Sequence, residues 1–313
     1  MNVARRVFDG ARKGQRIVAN VYQSSTPKPS GYSMTLLLSH ANGFHKELWE
    51  PVLEQLFSAQ SSRPWSISQA VAIDSYNHGD SAVLNRESIA AEEFSTWFNN
   101  ASDILAVVRQ LGVRQNVIGI GHSWGAASML LAEEISPLTF SGLVIADPVL
   151  FSQVELNRNS TIVKMTMGRR AEWEDKEAAR KYFEPHPFFK IWDKRILDLH
   201  IKHGLEEVDG KLVLKCRPIN EAGVFAGAMI ASPYATWNIW KVQCPTVFLT
   251  GETSQPSPEE HIRRVIKPIN DCEHYVMKGR GHLLLHEDPD QTAQYFAKFF
   301  DGFATKLSPK ASL

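Results

Sequence analysis

The sequence predicts an α/β protein in which a mostly parallel sheet is flanked by helices. Short continuous runs of Val, Ile and Leu recur along the chain, as is typical of strands buried on both faces. Amphipathic stretches lie between these runs, and this alternation indicates a parallel sheet covered by helices. The chain has 313 residues, 43% of them hydrophobic, which is enough for a substantial core.

Six apolar runs are predicted as strands and five amphipathic stretches as helices. The strands cover residues 34–39, 70–74, 116–121, 142–147, 246–251 and 274–277, and the helices cover 46–58, 95–111, 124–135, 258–266 and 291–303. The first helix places Leu48, Val52, Leu53 and Leu56 on one apolar stripe, which predicts that this face packs on the core.

The segment between residues 150 and 240 interrupts the alternation. It is richer in helical patterns, aromatic residues and mixed charge, and strand patterning resumes at Pro245. We therefore expect a core of residues 1–149 and 241–313 with a helical cap of residues 150–240. An insertion at the carboxyl ends of two strands would lie over the place where open α/β sheets bind ligands. The alternative is a helical annex that only enlarges the core.

The composition argues against several classes of protein. Thirty-four basic and 34 acidic residues balance to zero formal charge, which disfavours a dedicated nucleic-acid or membrane-surface binder. We expect no membrane span, because no apolar run approaches the roughly 20 residues that a bilayer needs. The first residues lack the apolar stretch of a secretory signal. Three scattered cysteines fit neither a disulfide framework nor a zinc site, so we expect an intracellular protein.

The strongest chemical signal is Gly121-His122-Ser123-Trp124-Gly125. It follows a predicted buried strand and opens a predicted helix, which is the setting of a nucleophile elbow. Glycines are needed on both sides because side chains there would collide with the neighbouring strand and helix. The alternative is a serine that only caps an ordinary strand–helix connection.

A serine nucleophile needs a base and a third group that orients the base. His282 follows the last predicted strand and precedes the last helix, in the chain order serine, acid, histidine. Asp147 ends an earlier strand and is the predicted acid, although an Asp-Pro turn is the alternative. After the next strand Ser254 stands where an aspartate is often found in such enzymes, which leaves Glu252 as the runner-up.

The loop Ser39-His40-Ala41-Asn42-Gly43-Phe44 follows the strand 34–39 and predicts an oxyanion hole. The backbone N–H groups of Asn42 and Trp124 are the predicted donors, with an ordinary Asn-Gly turn as the alternative. Phe44 and His45 are expected to wall the pocket. No metal site is expected, because His282 and His286 lack a third ligand, and no cofactor fingerprint is present.

Together, GHSWG, SHANGF, the turn DSYNHGDS and the late GRGH resemble the α/β-hydrolase superfamily over nearly the whole chain. SHANGFHKELWEP, IADPV, DGKLVLKCRP and GETS also resemble fungal toxin- and secondary-metabolite-biosynthesis hydrolases. These include the AK-toxin pathway hydrolases and the mycophenolic-acid acyl-CoA hydrolase, which are similar to peroxisomal lipases. The resemblance implies a Ser123–Asp147–His282 triad that hydrolyses a thioester or ester of a bulky acyl chain, such as an acyl-CoA.

A peroxisomal lipase or esterase with the same triad stays open at this stage, and so do two functions of other classes. An acyltransferase or cyclase would keep the triad and change the acceptor, and an aromatic cap with residues such as Phe183, Phe188, Phe189 and Trp192 would favour it by excluding water. Of these, Phe188 and Trp192 are expected to bind substrate, although plain packing of the cap also explains the cluster. A non-catalytic binding protein on the same scaffold is the third hypothesis.

The last three residues bear on location. Members of the resembling group often end in a peroxisomal tripeptide, and this chain ends in Ala311-Ser312-Leu313. Ser312 stands where a basic residue is expected, so both the peroxisome and the cytoplasm stay open. The sequence does not fix the oligomeric state, and a homodimer is one alternative.

Overall fold

The computed structural model describes residues 1–25, 31–90, 96–113, 115–152 and 156–307. The predicted C-terminal tripeptide lies outside these residues. The strands in the described part of the chain are β1 Asn2–Asp9, β2 Arg16–Gln23, β3 Tyr32–Ser39, β4 Trp65–Ile73, β5 Val117–His122, β6 Gly142–Ala146, β7 Glu172–Trp173, β8 Leu205–Val208, β9 Lys211–Leu214, β10 Thr246–Gly251 and β11 Cys272–Met277.

The helices surround these strands in sequence. They are α1 Glu50–Ala59, α2 Gly79–Leu84, α3 Arg86–Ala90, α4 Trp97–Leu111, α5 Trp124–Ile135, α6 Leu156–Met167, α7 Lys176–Phe183, α8 Pro187–Lys190, α9 Lys194–His203, α10 Pro218–Asn238, α11 Glu259–Val265, α12 Leu284–Glu287 and α13 Pro289–Leu307. Short 3-10 helices precede and follow α1 at Lys46–Trp49 and Gln60–Ser62, and another follows α10 at Ile239–Lys241.

The main sheet has eight strands in the order β1-β2-β4-β3-β5-β6-β10-β11. From β4 to β11 all neighbours are parallel, whereas β1 and β2 form an antiparallel hairpin at the edge. His122 of β5 pairs with Ala146 of β6, and Leu249 of β10 pairs with the same alanine. This register brings the carboxyl ends of β5, β6 and β10 side by side, so the residues that follow them share one edge of the sheet.

Helices cover both faces of the sheet, as the sequence predicts. One apolar layer joins α1 and α13 to the sheet, and Leu53, Leu56, Phe296 and Phe300 are fully buried in it. The opposite layer contains α4, α5 and part of α10. The predicted apolar stripe of the first helix is buried at all four positions, including Leu48 and Val52. The predicted fold class is therefore confirmed.

The segment between β6 and β10 contains α6 to α10 and connects two strands that are neighbours in the sheet. A helical cap was expected from the sequence. The structure corrects this expectation, because β7, β9 and β8 form a separate three-stranded sheet within the segment. The β8–β9 turn has positive φ at Asp209 (51°) and Gly210 (76°), which is the backbone of a tight two-residue hairpin. The Asp-Gly pair was the sequence signal that could have predicted this hairpin.

Candidate active site

Ser123 lies in a strained turn between β5 and α5. Its φ of 57° and ψ of −117° belong to a region that residues with a side chain rarely adopt. A Cβ on Gly121 would lie 2.5 Å from the Gly125 oxygen, and a Cβ on Gly125 would lie 2.4 Å from the oxygen of His40. The two glycines therefore let β5, α5 and the loop after β3 approach closely enough to hold the serine at the end of the sheet.

Three of the predicted residues form a continuous chain of hydrogen bonds. Ser123 Oγ lies 2.8 Å from His282 Nε2, and His282 Nδ1 lies 2.6 Å from Asp147 Oδ1. Since a carboxylate only accepts, the proton of the neutral imidazole is on Nδ1, and Nε2 is left to accept the serine proton. This is the arrangement that activates a serine in acyl transfer. The catalytic roles themselves stay predictions, which are taken up below.

Asp147 is fully buried and is held by neighbours from β10. Its backbone has a φ of 43°, and its Oδ2 accepts the Gly251 N–H at 2.7 Å. The hydroxyl of Ser254 donates to Oδ1 at 2.6 Å. The sequence analysis named neither Gly251 nor Ser254 as a partner of the acid, because the contact depends on the pairing of β6 with β10.

Glu252, the runner-up for the acid, is directed away from the histidine. Its exposed carboxylate accepts hydrogen bonds from Lys278 Nζ at 2.7 Å and from the Gly279 N–H at 2.9 Å. The hydrogen bond from Lys278 lowers the pKa of this carboxyl. Glu252 therefore fastens the loop before His282 and does not contact the imidazole.

The loop after β3 lies beside Ser123 and borders the same cavity as Trp124. Trp124 is the first residue of α5, and the first N–H groups of a helix have no acceptor within it. The Gly43 N–H donates to His78 Nε2 at 2.9 Å, and burial holds the pKa of His78 well below its usual range, so its ring is neutral and able to accept. Asn42 Nδ2 donates to the backbone oxygen of Glu221 at 3.0 Å, which anchors the loop to α10.

A cavity of about 520 Å³ opens above Ser123 and His282. Most of the residues that line it belong to the segment between β6 and β10, whose apolar members there include Phe151, Ile162, Met165, Phe183, Phe188, Phe189, Leu214, Val224, Phe225 and Ala228. Of the residues predicted to bind substrate, Phe44 and Phe188 line this cavity. The site is thus a mostly apolar chamber with the serine at its base.

His45 and Trp192, also predicted to bind substrate, are not among the described residues that line the cavity. The His45 ring is buried, bonds to Glu47 Oε2 at 2.9 Å and stacks on His200. Trp192 packs against Phe44 with ring centroids 5.2 Å apart. Apolar contacts with Phe189 of α8 and Ile196 of α9 hold Trp192 outside the cavity wall, whereas Glu47 and His200 hold the His45 ring.

Three charged residues, Arg169, Arg170 and Glu221, interrupt the apolar wall. Arg169 forms an ion pair with Glu221, a buried residue of α10. Burial raises the pKa of the Glu221 carboxyl while Arg169 opposes the shift. Arg170 also borders the cavity, but it is exposed, with its guanidinium over the rings of Trp173 and Tyr182. No ion pair of Arg170 occurs within the described residues.

His286, four residues after His282, is buried against Phe44 and Trp192, and burial holds its pKa well below the usual range. Across the described part of the chain, no group of three His, Cys, Asp or Glu side chains is arranged to hold a metal ion. None of the helices in these residues has the length and hydrophobicity that a membrane span requires.

Comparison with known proteins tests the resemblance seen in the motifs. Residues 36–295 match the family model described as "Alpha/beta hydrolase family". The chain belongs to this family. The α/β-hydrolase fold and the predicted resemblance are thereby confirmed.

Curated relatives of this α/β hydrolase include fungal proteins of three kinds. "Peroxisomal membrane protein LPX1" of Saccharomyces cerevisiae is 25% identical over 82% of this chain and 72% of its own length. "Type I acyl-CoA thioesterase mpaH" of Penicillium brevicompactum is 24% identical over 63% of this chain and 47% of its own length. "Abhydrolase domain-containing protein ACTT2" of Alternaria alternata is 23% identical over 60% of this chain and 84% of its own length.

Solved structures have the same fold. The peroxisomal alpha-beta-hydrolase Lpx1 from Saccharomyces cerevisiae superposes with a TM-score of 0.83 at 21% identity and covers 99% of this chain and 90% of its own. The thioesterase domain from the curacin biosynthetic pathway gives a TM-score of 0.70 at 14% identity, over 96% of this chain and 99% of its own. At these identities the likeness shows the fold alone.

Proposed function

We propose that this α/β hydrolase is a serine hydrolase that cleaves a thioester or ester of a bulky acyl substrate. The observation that carries the proposal is the chain Ser123–His282–Asp147, with contacts of 2.8 and 2.6 Å, at the base of the large apolar cavity. A mere binding protein on this scaffold would have no need of a strained serine aligned with a histidine and a buried carboxylate.

In the proposed reaction Ser123 Oγ attacks the acyl carbonyl carbon while His282 Nε2 accepts the serine proton. Asp147 holds the imidazole through Nδ1 and stabilises the imidazolium that forms. The carbonyl oxygen gains the negative charge, which the N–H groups of Asn42 and Trp124 stabilise. The C–S or C–O bond then breaks, and the leaving group takes the proton from His282. Water repeats the sequence on the acyl-serine and releases the acid.

The substrate class follows from the cavity and its mouth. A volume of about 520 Å³ with mostly apolar walls suits a long or aromatic acyl chain. Residues 150–240 supply most of that wall, so we propose that they act as the lid of the site. Arg170, exposed at the cavity edge, is suited to a phosphate of coenzyme A. A relative named acyl-CoA thioesterase adds support for this class.

An acyltransferase or cyclase is the second candidate, because Phe183, Phe188 and Phe189 line the chamber and aromatic walls limit the entry of water. Incubation of an acyl-CoA with and without added alcohols or amines, followed by mass spectrometry, separates the two. A free acid as the main product in both cases supports hydrolysis. An ester or amide that dominates when the nucleophile is present supports transfer.

The decisive experiment combines covalent labelling with a substrate panel. A fluorophosphonate should label the protein at Ser123, and Ser123→Ala should abolish labelling and turnover while leaving the fold intact. Long-chain or aromatic acyl-CoAs should be cleaved faster than short p-nitrophenyl esters, because remote acyl contacts lower the barrier. High activity on emulsified triglyceride with indifference to the CoA portion would instead identify a lipase or esterase. Near-normal hydrolysis by a folded Ser123→Ala variant contradicts the serine mechanism.

The proposal includes a location in the peroxisome, since one relative carries that word in its name, and the residues tested as its signal are Ala311-Ser312-Leu313. A fluorescent protein fused to the N-terminus should colocalise with a peroxisomal marker in fungal cells. Deletion of the three residues should return it to the cytoplasm, and unchanged localisation after deletion excludes the tripeptide as the signal.

A further inference from the structure

Asp147 accepts a hydrogen bond from a side chain that no step of the reaction uses. The hydroxyl of Ser254 lies 2.6 Å from Asp147 Oδ1, the same oxygen that His282 Nδ1 contacts at 2.6 Å. Asp147 is 0% exposed and Ser254 is 5% exposed, so water does not compete for these bonds. In such a buried network each hydrogen bond has a large effect on orientation.

The direction of the Ser254 hydroxyl proton is fixed by its surroundings. A carboxylate only accepts, so Ser254 must be the donor to Asp147. The backbone N–H of Ser257 donates to Ser254 Oγ at 3.3 Å and occupies an acceptor position of that oxygen. The hydroxyl is therefore held in one orientation, directed at the carboxylate.

The loop that carries Ser254 contacts the backbone next to two residues of the proposed triad. The Ser257 hydroxyl donates to the backbone oxygen of Pro148, which directly follows Asp147. The Thr253 N–H donates to the backbone oxygen of Arg280 at 3.0 Å, two residues before His282. The position of Ser254 is therefore set relative to both the acid and the base.

We propose that Ser254 is a positioning residue, whose hydroxyl holds the Asp147 carboxylate in the rotation that directs Oδ1 at His282 Nδ1. The proposal rests on the proposed function. Without this donor, the carboxylate would keep only the Gly251 N–H and the His282 ring as hydrogen-bond partners among the described residues, and it would turn more freely about its Cβ–Cγ bond. The imidazolium that forms when Ser123 loses its proton would then be stabilised less well. Ser254 stands after β10, where the acid is often found, and its hydroxyl orients Asp147, the proposed acid after the neighbouring strand β6.

Substitution of Ser254 tests this role. Ser254→Ala should lower kcat about tenfold and leave KM within about twofold, because the acyl cavity is untouched. The rate of labelling by a fluorophosphonate should fall by the same factor. Ser254→Thr, which keeps the hydroxyl, should recover most of the loss. Thr246→Val is the matched control, since it removes a buried hydroxyl that bonds to the backbone oxygen of Cys244 at 2.9 Å, at the end of β10 opposite to the acid.

A double-mutant cycle separates positioning from a general loss of structure. If Ser254 acts through the carboxylate, Ser254→Ala should lower the labelling rate about tenfold in the unsubstituted chain. In an Asp147→Asn background the same substitution should leave the labelling rate nearly unchanged. Equal losses of labelling rate in the two backgrounds would overturn the proposal. A Thr246→Val variant as slow as Ser254→Ala would also overturn it.

A measurement independent of turnover keeps this test apart from that of the proposed function. The proton that His282 Nδ1 shares with Asp147 gives a low-field proton resonance, identified by its absence in His282→Gln. Ser254→Ala should shift this resonance, whereas Thr246→Val should leave it in place. A resonance that Ser254→Ala does not move overturns the positioning role whether or not the protein hydrolyses esters. If a fluorophosphonate does not label Ser123 in the unsubstituted protein while Ser254→Ala still shifts the resonance, the result counts against the proposed function alone.

Discussion

Asn42 Nδ2 donates a hydrogen bond to the backbone oxygen of Glu221 across 3.0 Å, and the two residues are 179 positions apart in the chain. The bond joins the loop after β3 to the first turn of α10. The carboxylate of Glu221 also lies against Gly43, where an added Cβ would come within 2.8 Å of it. The segment between β6 and β10 therefore holds the loop that carries a proposed oxyanion donor.

Removal of this bond should slow the chemical step. Asn42→Ala keeps the backbone N–H but frees the loop, so kcat should fall about tenfold with little change in KM, as expected for an interaction needed mainly in the transition state. Asn238→Ala is the control, since it removes an equivalent amide-to-backbone bond on α10, to Tyr234 at 2.9 Å. A change in KM alone for Asn42→Ala would contradict the assignment.

The choice of Asp147 as the acid gives the largest predicted effect. Asp147→Asn should slow turnover by about 10³–10⁴-fold, because an amide enforces the wrong tautomer of the histidine. Glu252→Gln should change the rate by less than about threefold, since its carboxylate bonds to Lys278 and Gly279 and not to the imidazole. Steady-state rates of folded variants decide the matter, and the reverse order of the two effects would refute the assignment.

Arg170 should contribute to the binding of an acyl-CoA but not to that of a short thioester without the CoA portion. Arg170→Gln should raise KM for an acyl-CoA about fivefold, as expected for one contact to a phosphate, and leave KM for a short thioester of the same acyl chain unchanged. Lys211→Gln removes an exposed cation that pairs with Glu172 outside the cavity wall and should alter neither value. Equal shifts for both substrates would show that Arg170 contacts the acyl chain or only supports the fold.

Glu134 makes stability depend on pH. Burial raises its pKa to about 9, and neither carboxyl oxygen has a hydrogen-bond partner within the described residues. Because the unfolded chain releases this proton near the ordinary value of 4.5, the folded state binds more protons between the two pKa values. Its stability contribution is thus full below pH 4.5 and decreases as the pH rises toward 9.

Glu134→Gln removes this dependence. The variant should exceed the unsubstituted chain in free energy of unfolding by about 1–3 kcal/mol at pH 8.5 and show no such advantage at pH 4.5. Urea unfolding at the two pH values measures the difference. Glu54→Gln, on the exposed side of α1, should change stability by less than about 0.5 kcal/mol at both. An advantage of Glu134→Gln that does not grow with pH would contradict the raised pKa.

Buried strands and the elbow could be predicted because their signals are local. The sequence 246–251, TVFLTG, is rich in apolar and β-branched residues and forms β10 with the predicted bounds. The strand β1 has one buried residue in eight, so no apolar pattern marks it, and its pairing with β2 depends on backbone hydrogen bonds. The β7–β9–β8 sheet has strands of only two to four residues, too short for a periodic signal.

Residues of the site could be predicted only where a local sequence motif marks them. Ser123, Asp147 and His282 each follow a recognisable strand, and the parallel sheet places such positions at one edge. The partners of Asp147 depend on the register of β6 against β10. His45 follows Phe44 directly, yet the local turn directs it to Glu47 and His200, so adjacency in sequence did not predict a place in the cavity wall.

The order of the strands along the chain has a consequence for synthesis on the ribosome. Ser123 and His282 are 159 residues apart. At about 5–20 residues per second, roughly 10–30 s pass between the addition of the proposed nucleophile and that of its base. During this interval β10 and β11 are missing from the edge of the sheet, so the nascent chain exposes that edge and holds a serine without an activating histidine. The proposed nucleophile therefore stays without its proposed base until β10, β11 and the loop that carries His282 have been synthesised.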